Sequence, residues 1–202
     1  IHGMVERELT LSYADLLARN VVERDITMIC VSNEVGGTLN GNAVWTGWPV
    51  RELLKEAGVR PGADMVLSTS VDGFTAGTPL EAMTDDRSTL LVVAQNGEAL
   101  LPEHGFPVRL VVPGLYGYVS ATKWVSELKV TTFADDMGYW TPRGWSALGP
   151  VKTQSRIDVP RDGDTVAAGT VAVARAAITA ITRSSTSARS RRSILLHAGA
   201  VI

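Results

Sequence analysis

Ile26-Thr27-Met28-Ile29-Cys30-Val31-Ser32-Asn33-Glu34-Val35-Gly36-Gly37 contains the only cysteine of the chain, Cys30. Residues 26–32 have the β-branched and apolar content of a buried strand, and Asn33 to Gly37 end it with turn residues. A cysteine where a strand opens into a glycine loop stands where sheet proteins place chemistry, because loops on a rigid scaffold carry function. From spacing alone the plainer reading is a buried, inert thiol, since free cysteines commonly fill cores.

On the N-terminal side, Glu6 to Ser12 alternates as a short strand, and Tyr13 to Asn20 reads as a short helix with Leu16 and Leu17 inward. On the C-terminal side, Asn40-Gly41-Asn42 reads as a turn and Ala43 to Trp48 as an aromatic strand. Pro49 opens a helix at its first position, where a missing N–H costs nothing. Val50, Leu53, Leu54 and Ala57 fall at i, i+3, i+4 and i+7, so one face is buried, and Gly58 closes the helix. Asp64 to Ser70 is a strand followed by the turn Asp72-Gly73, and Thr78-Pro79-Leu80-Glu81 has the form of a capping box. Thr89 to Gln95 is an apolar strand running into Asn96-Gly97, a strong hairpin signal. Val108 to Val112 is another buried strand. Lys123 to Thr131 alternates with Trp124, Leu128 and Val130 on one face. Strands dominate without regular strand–helix alternation, which predicts an α+β fold with mixed sheets.

A boundary is expected near Pro150, giving one domain over 1–150 and a second region over 151–202. In the second, Val151 to Val159 and Thr165 to Ala174 read as strands around the turn Pro160 to Asp164. From Arg175 onward the chain has five Arg, five Ser, six Ala and no acid. This reads either as a basic terminal arm or as sequence foreign to the domain.

Hydrophobic content of 45% and charged content of 20% fit a globular chain with a sizeable core. A formal net charge of −2 gives no nucleic-acid footprint. No apolar run reaches the length of a membrane span, and one cysteine excludes an internal disulfide framework. The start at Ile1, without Met and in strand-like sequence, reads as trimmed.

Two constellations can carry chemistry. A thiolate at Cys30 is a soft ligand, yet one cysteine cannot build a zinc or iron–sulfur site alone. His2, His104 and His197 are scattered, so a metal at Cys30 would take most of its ligands from a cofactor. The second constellation is His104-Gly105-Phe106-Pro107-Val108-Arg109, followed by Val112-Pro113-Gly114-Leu115-Tyr116-Gly117-Tyr118-Val119-Ser120-Ala121-Thr122-Lys123-Trp124. Arg offers a planar fork to phosphate, Lys a point charge, and a glycine loop its backbone N–H groups. Together these suit a phosphorylated heterocycle. A structural loop with solvated basic residues is the competing reading.

These motifs, with the Cys-x-Ser-Asn-Glu loop, resemble the molybdopterin-binding domain of the sulfite oxidase family, closest to its bacterial membrane-associated branch. The resemblance covers about residues 1–174. It implies a mixed α+β domain followed by the start of an immunoglobulin-like dimerisation domain, and an extracytoplasmic or membrane-associated setting. It implies a molybdenum-molybdopterin cofactor with Cys30 as the metal ligand. It further implies that His104 and Arg109 grip the pterin and its phosphate, and that Ser120, Ala121, Thr122 and Lys123 form the loop closing over it. Thr69 and Asp72 would belong to a cofactor-side wall, while Asn33 and Glu34 would line the catalytic mouth. Tyr116, Tyr118 and Trp48 are rim aromatics or, more simply, packing residues. An earlier pterin-contacting stretch is expected upstream of Ile1.

The implied activity is two-electron oxygen-atom transfer between a small-molecule oxo donor or acceptor and the metal, with a separate electron-transfer partner and a possible homodimer in the full-length protein. The loop after Cys30 carries Glu34 and no arginine, so sulfite itself is not the expected substrate. A non-catalytic binding module on the same scaffold, and an apo, inactive fragment, are the alternatives.

Overall fold

Leu90, Leu91, Val92 and Val93 show why the chain folds around one central strand. Leu91 and Val93 face one apolar cluster while Leu90 and Val92 face another, so this strand is buried on both sides. The computed structural model describes residues 1–178. Among them are strands β1 (His2–Gly3), β2 (Val22–Ile29), β3 (Asn40–Pro49), β4 (Met65–Ser70), β5 (Thr75–Pro79), β6 (Leu90–Gln95), β7 (Glu98–Ala99), β8 (Arg109–Val111), β9 (Val125–Thr131), β10 (Gln154–Val159) and β11 (Ala174–Ile178). The helices are α1 (Tyr13–Leu17), α2 (Val50–Ala57) and α3 (Leu80–Thr84).

Three sheets form. One runs β2-β3-β6-β7 with β8 also paired to β6; a second runs β1-β9-β4-β5, with β1 parallel to β9; β10 and β11 make an antiparallel pair. This is the mixed-sheet α+β architecture expected. The larger core joins Val66, Leu128 and Val130 of the second sheet to Leu91, Val93 and Leu110 of the first through α2 and α3. Helix α2 buries Val50, Leu53, Leu54 and Ala57, as its spacing predicted. Each of its Val and Leu side chains contributes roughly 1.5–3 kcal/mol by leaving water. Gly58 ends the helix at φ 70°. The smaller core, containing Ile26, Trp45, Leu100 and Val111, lies on the opposite face of the first sheet.

Pairing partners moved several boundaries. β2 starts at Val22 and stops at Ile29, because its ladder with β3 runs from Val22–Gly47 to Ile29–Asn40. Asn40-Gly41-Asn42 is therefore strand, and the reversal occupies 30–39. Glu6 to Ser12 is irregular: Val5 bridges Val59, and Glu6 N and Arg7 N donate to the Gly58 and Ala57 carbonyls at the end of α2 without forming a ladder. α1 ends at Leu17, which is exposed, while Leu16 is buried. Its cap is a Ser12–Asp15 box that sequence reading missed.

The expected box at Thr78 does not form. Thr78 lies in β5, fully buried, and its hydroxyl donates to the Val119 carbonyl at 2.5 Å. Trp124 takes φ 48° and so stands outside β9. Residues 165–173 are not strand; the pairing segment is 174–178. The basic arm expected from Arg175 thus begins in β11, and the rest of it lies outside the described residues.

Candidate cofactor site

Arg109 is the charged residue of the apolar run Val108-Arg109-Leu110-Val111-Val112. Alternation along β8 puts Arg109 and Val111 on one face and Leu110 on the other. Arg109 therefore enters the side of the smaller core, where its guanidinium carbon lies 5.3 Å from the centre of the Trp45 ring. Only 8% of the residue is exposed. Its Nη1 donates to the His104 carbonyl at 2.9 Å and its Nη2 to the Ala121 carbonyl at 3.4 Å. Its Nε is buried with no partner, and among the described residues no carboxylate pairs with it. Burial pushes its pKa down to about 10. A cation this enclosed, with a donor to spare, has the chemistry to take an anion.

The two segments singled out in the sequence meet at this arginine. Gly105, at φ +106°, ends the short turn Pro102–His104. A Cβ on it would stand 3.0 Å from Lys123 Cβ and 3.1 Å from Arg109 Cβ, so only glycine lets the two segments close up. Lys123 Nζ donates to the Glu103 carbonyl at 3.0 Å and sits 4.2 Å above the Trp124 ring. His104 is exposed, with its ring free of hydrogen bonds among the described residues. Trp124 Nε1 donates to the Pro102 carbonyl at 2.8 Å, tying the turn to the loop a second time. Its left-handed backbone is strained for a tryptophan, at a cost of order 1–3 kcal/mol, which is the kind of strain found at functional sites.

Cys30 follows the last residue of β2 and is exposed, so the inert buried reading fails. Its N–H donates to the Leu39 carbonyl at 2.9 Å, and its carbonyl accepts from Asn33 N at 3.0 Å. The Ile29 carbonyl lies 3.8 Å from where a Gly117 Cβ would be, which brings the cysteine end of β2 against the 117–121 loop. Asn33 braces the reversal: its Oδ1 accepts from Leu39 N at 2.7 Å and Asn40 Nδ2 at 3.2 Å, and its Nδ2 donates to the Glu34 carbonyl at 2.9 Å. Glu34 is exposed.

Other expected contacts turn out to be framework. Ser120 Oγ donates to the Leu115 and Tyr116 carbonyls, and buried Thr122 shares a 2.7 Å hydrogen bond with Ser68. Both side chains shape the loop from beneath, leaving Ala121 and Lys123 as its upper members. Thr69 gives its carbonyl to Ser126 Oγ. Asp72 caps its own turn by accepting from Phe74 N, which with the Ser70 hydroxyl holds its carboxyl below the usual range. The turn adjoins the loop through the Val71 N to Trp124 carbonyl bond. Trp48 is core, while Tyr118 donates to the Ser146 carbonyl and packs on Trp145. Trp45, the floor under Arg109, was missed, since nothing in sequence pairs a tryptophan of β3 with an arginine of β8.

The donor set thus fits a phosphorylated pterin: an unpaired buried guanidinium, a lysine and a histidine beside a glycine loop, with a thiol close by. A family model described as "Oxidoreductase molybdopterin binding domain" matches residues 1–140. The chain belongs to that family. This molybdopterin-binding oxidoreductase domain is 34% identical over 149 residues to the uncharacterized oxidoreductase YuiH of Bacillus subtilis, covering 74% of this chain and 72% of that protein. It is 31% identical to nitrate reductase [NADH] 1 of Oryza sativa over 69% of this chain but only 18% of the rice enzyme. The sulfane dehydrogenase SoxCD of Paracoccus pantotrophus superposes with a TM-score of 0.67 and 26% identity, over 87% of this chain and 51% of that one. The domain therefore spans about half or less of the last two. Its cofactor is molybdenum-molybdopterin.

Proposed function

We propose that this domain holds the cofactor's phosphate on Arg109, with Lys123 and His104 beside it, and that Cys30 ligates the metal. The carrying observation is the Arg109 guanidinium, 8% exposed, lacking any carboxylate and with an orphaned Nε. When bound, the cofactor supplies two-electron oxygen-atom transfer chemistry. The chain's own residues bind, orient and shield. Arg109 offers Nε to an anion while its Nη atoms stay tethered to His104 and Ala121, so its direction is set before binding. Lys123 is held over Trp124 with its charge toward the same turn. Asn33 fixes the 30–39 reversal, and thus the exit direction of the Cys30 thiol, while Glu34 borders its mouth. Ser120 and Thr122 keep the loop in shape from below.

The substrate in this reading is a small oxo donor or acceptor other than sulfite. Electrons pass to or from a separate partner; the names of the relatives, an NADH-linked nitrate reductase and a sulfane dehydrogenase, support both statements. The first domain extends through Pro150 and Val151, which bond to the 114–116 loop, and β10 and β11 open an immunoglobulin-like dimerisation domain.

Metal and pterin analysis of the full-length protein tests this reading. Cys30→Ser is expected to retain pterin, lose molybdenum-dependent turnover and keep its circular dichroism. Full activity in that variant would exclude Cys30 as ligand.

A further inference from the structure

The cysteine reversal is only one wall of a groove. Val35, Gly36 and Asn40 line one side of this half-open groove, and Gln154, Ser155 and Arg156 of β10 line the other. Asn33 also borders the groove, and its N–H bonds the Cys30 carbonyl, so the groove begins one turn beyond the thiol.

Charge is distributed unevenly across the groove. Residues 30–39 hold a single charged side chain, Glu34, and no cation. The cation comes instead from β10, beyond the matched family region. Arg156 Nε lies 2.6 Å from Asp158 Oδ1 as an ion pair, but the angle leaves this buried Nε without a hydrogen bond. On the other side, Nη1 lies 3.7 Å from the position a Gly36 Cβ would take. Gly36, at φ +91°, leaves that approach open, and the Asn33 hydrogen bonds hold the facing backbone in place.

We propose that this groove is a substrate-anchoring subsite, and that Arg156 receives the carboxylate of a small organic oxo substrate. The proposal rests on Cys30 marking the reacting centre. A ligand reacting at Cys30 and anchored at Arg156 must span the turn between them, which a bare inorganic oxyanion cannot do. Val35, 63% exposed, offers an apolar wall to the intervening carbon chain. A planar guanidinium edge suits a carboxylate, and Gln154, on the same face of β10 as Arg156, supplies a polar neighbour. Asp158 and Glu34 oppose the incoming charge, so binding weakens as carboxylates crowd the mouth and favours ligands with one negative group.

The test compares two sulfoxides that differ in one carboxylate: methylsulfinylacetate and dimethyl sulfoxide. Each is titrated into the ¹⁵N-labelled chain while the amides of Gly36, Asn40 and Gln154 are followed. Methylsulfinylacetate is expected to shift these amides and dimethyl sulfoxide to leave them in place. Arg156→Gln should weaken binding at least about tenfold, the scale of one lost charge-assisted contact. Arg156→Lys should recover part of it, which a purely structural role for the guanidinium would not allow. Equal binding of the two sulfoxides, no binding of either, or unchanged affinity in Arg156→Gln would overturn the proposal. The readout needs neither metal nor turnover. Loss of the Cys30 assignment would leave these shifts intact, so the two readings fail separately.

Discussion

Arg109 carries its charge into the sheet interior without a countercharge, and that has a measurable cost. Burial lowers its pKa to about 10, which corresponds to roughly 3 kcal/mol against the charged form in the cofactor-free chain. The contacts with Trp45 and the two carbonyls offset part of what removing the charge would gain. Arg109→Met is therefore expected to raise the melting temperature of the cofactor-free domain by about 2–4 °C, a net gain of about 1 kcal/mol, while abolishing pterin retention. The pH dependence has a definite sign. Burial lowers this pKa to about 10, well below that of the solvated guanidinium in the unfolded chain, so above that pH the unfolded state binds more protons. The penalty on the native protein is complete below about pH 10 and fades above it. The stability advantage of Arg109→Met should thus be constant from pH 7 to 9 and shrink from pH 10 upward, as thermal melts at each pH would record. A constant advantage up to pH 12 would mean that charge burial is not its source.

Among the elements, β3 positions the site twice. It pairs β2 on one side, which fixes where Cys30 emerges, and β6 on the other, which carries β8 and Arg109. The β3–β6 ladder shifts register between Thr46 and Gly47. A Cβ at Gly47 would lie 2.1 Å from the Leu91 carbonyl oxygen, a collision with backbone that no rotamer relieves. Gly47→Ala is expected to destabilise the domain by more than about 3 kcal/mol, beyond the usual cost of a point substitution. Urea unfolding would measure it. Gly41→Ala on the same strand meets open space and is the control. Trp124 shows the opposite case, a large residue in a glycine-like conformation, kept there by its indole bond to Pro102 and by its carbonyl bond from Val71.

For the whole molecule, the boundary expected at Pro150 cuts through bonded residues. Leu115 bridges Pro150, Tyr116 N donates to the Gly149 carbonyl, and Val151 is buried with its N–H on the Gly114 carbonyl. Val151 therefore packs with the cofactor loop, and a division after Thr153 respects the contacts better. A chain ending at Thr153 is expected to unfold cooperatively within a few degrees of the full chain, whereas one ending at Gly149 melts markedly lower. Calorimetry of the two would separate them; equal melting temperatures would return the boundary to Pro150. Much of the larger design was legible beforehand. The α2 stripe, the Asn96-Gly97 reversal and the apolar strands at 65–70 and 90–95 rest on local periodicity and turn chemistry. The strands of 75–79 and 174–178 were not, because their pairing is set by partners in other segments of the chain.

The sequence by itself determined the class of fold and the helix behind the central strand, and it singled out the residues proposed as the anion grip, since alternation, capping and side-chain chemistry are properties of neighbouring residues. It also marked Arg109, because a guanidinium in the His104–Arg109 motif offers a planar fork to phosphate. Only the tertiary structure decided that Cys30 lies outside the core, that Ser120 and Thr122 turn inward, that Trp45 floors the arginine and that Arg156 faces Gly36. Each of these depends on which strand ends meet in space, and such a meeting depends on packing between segments tens of residues apart.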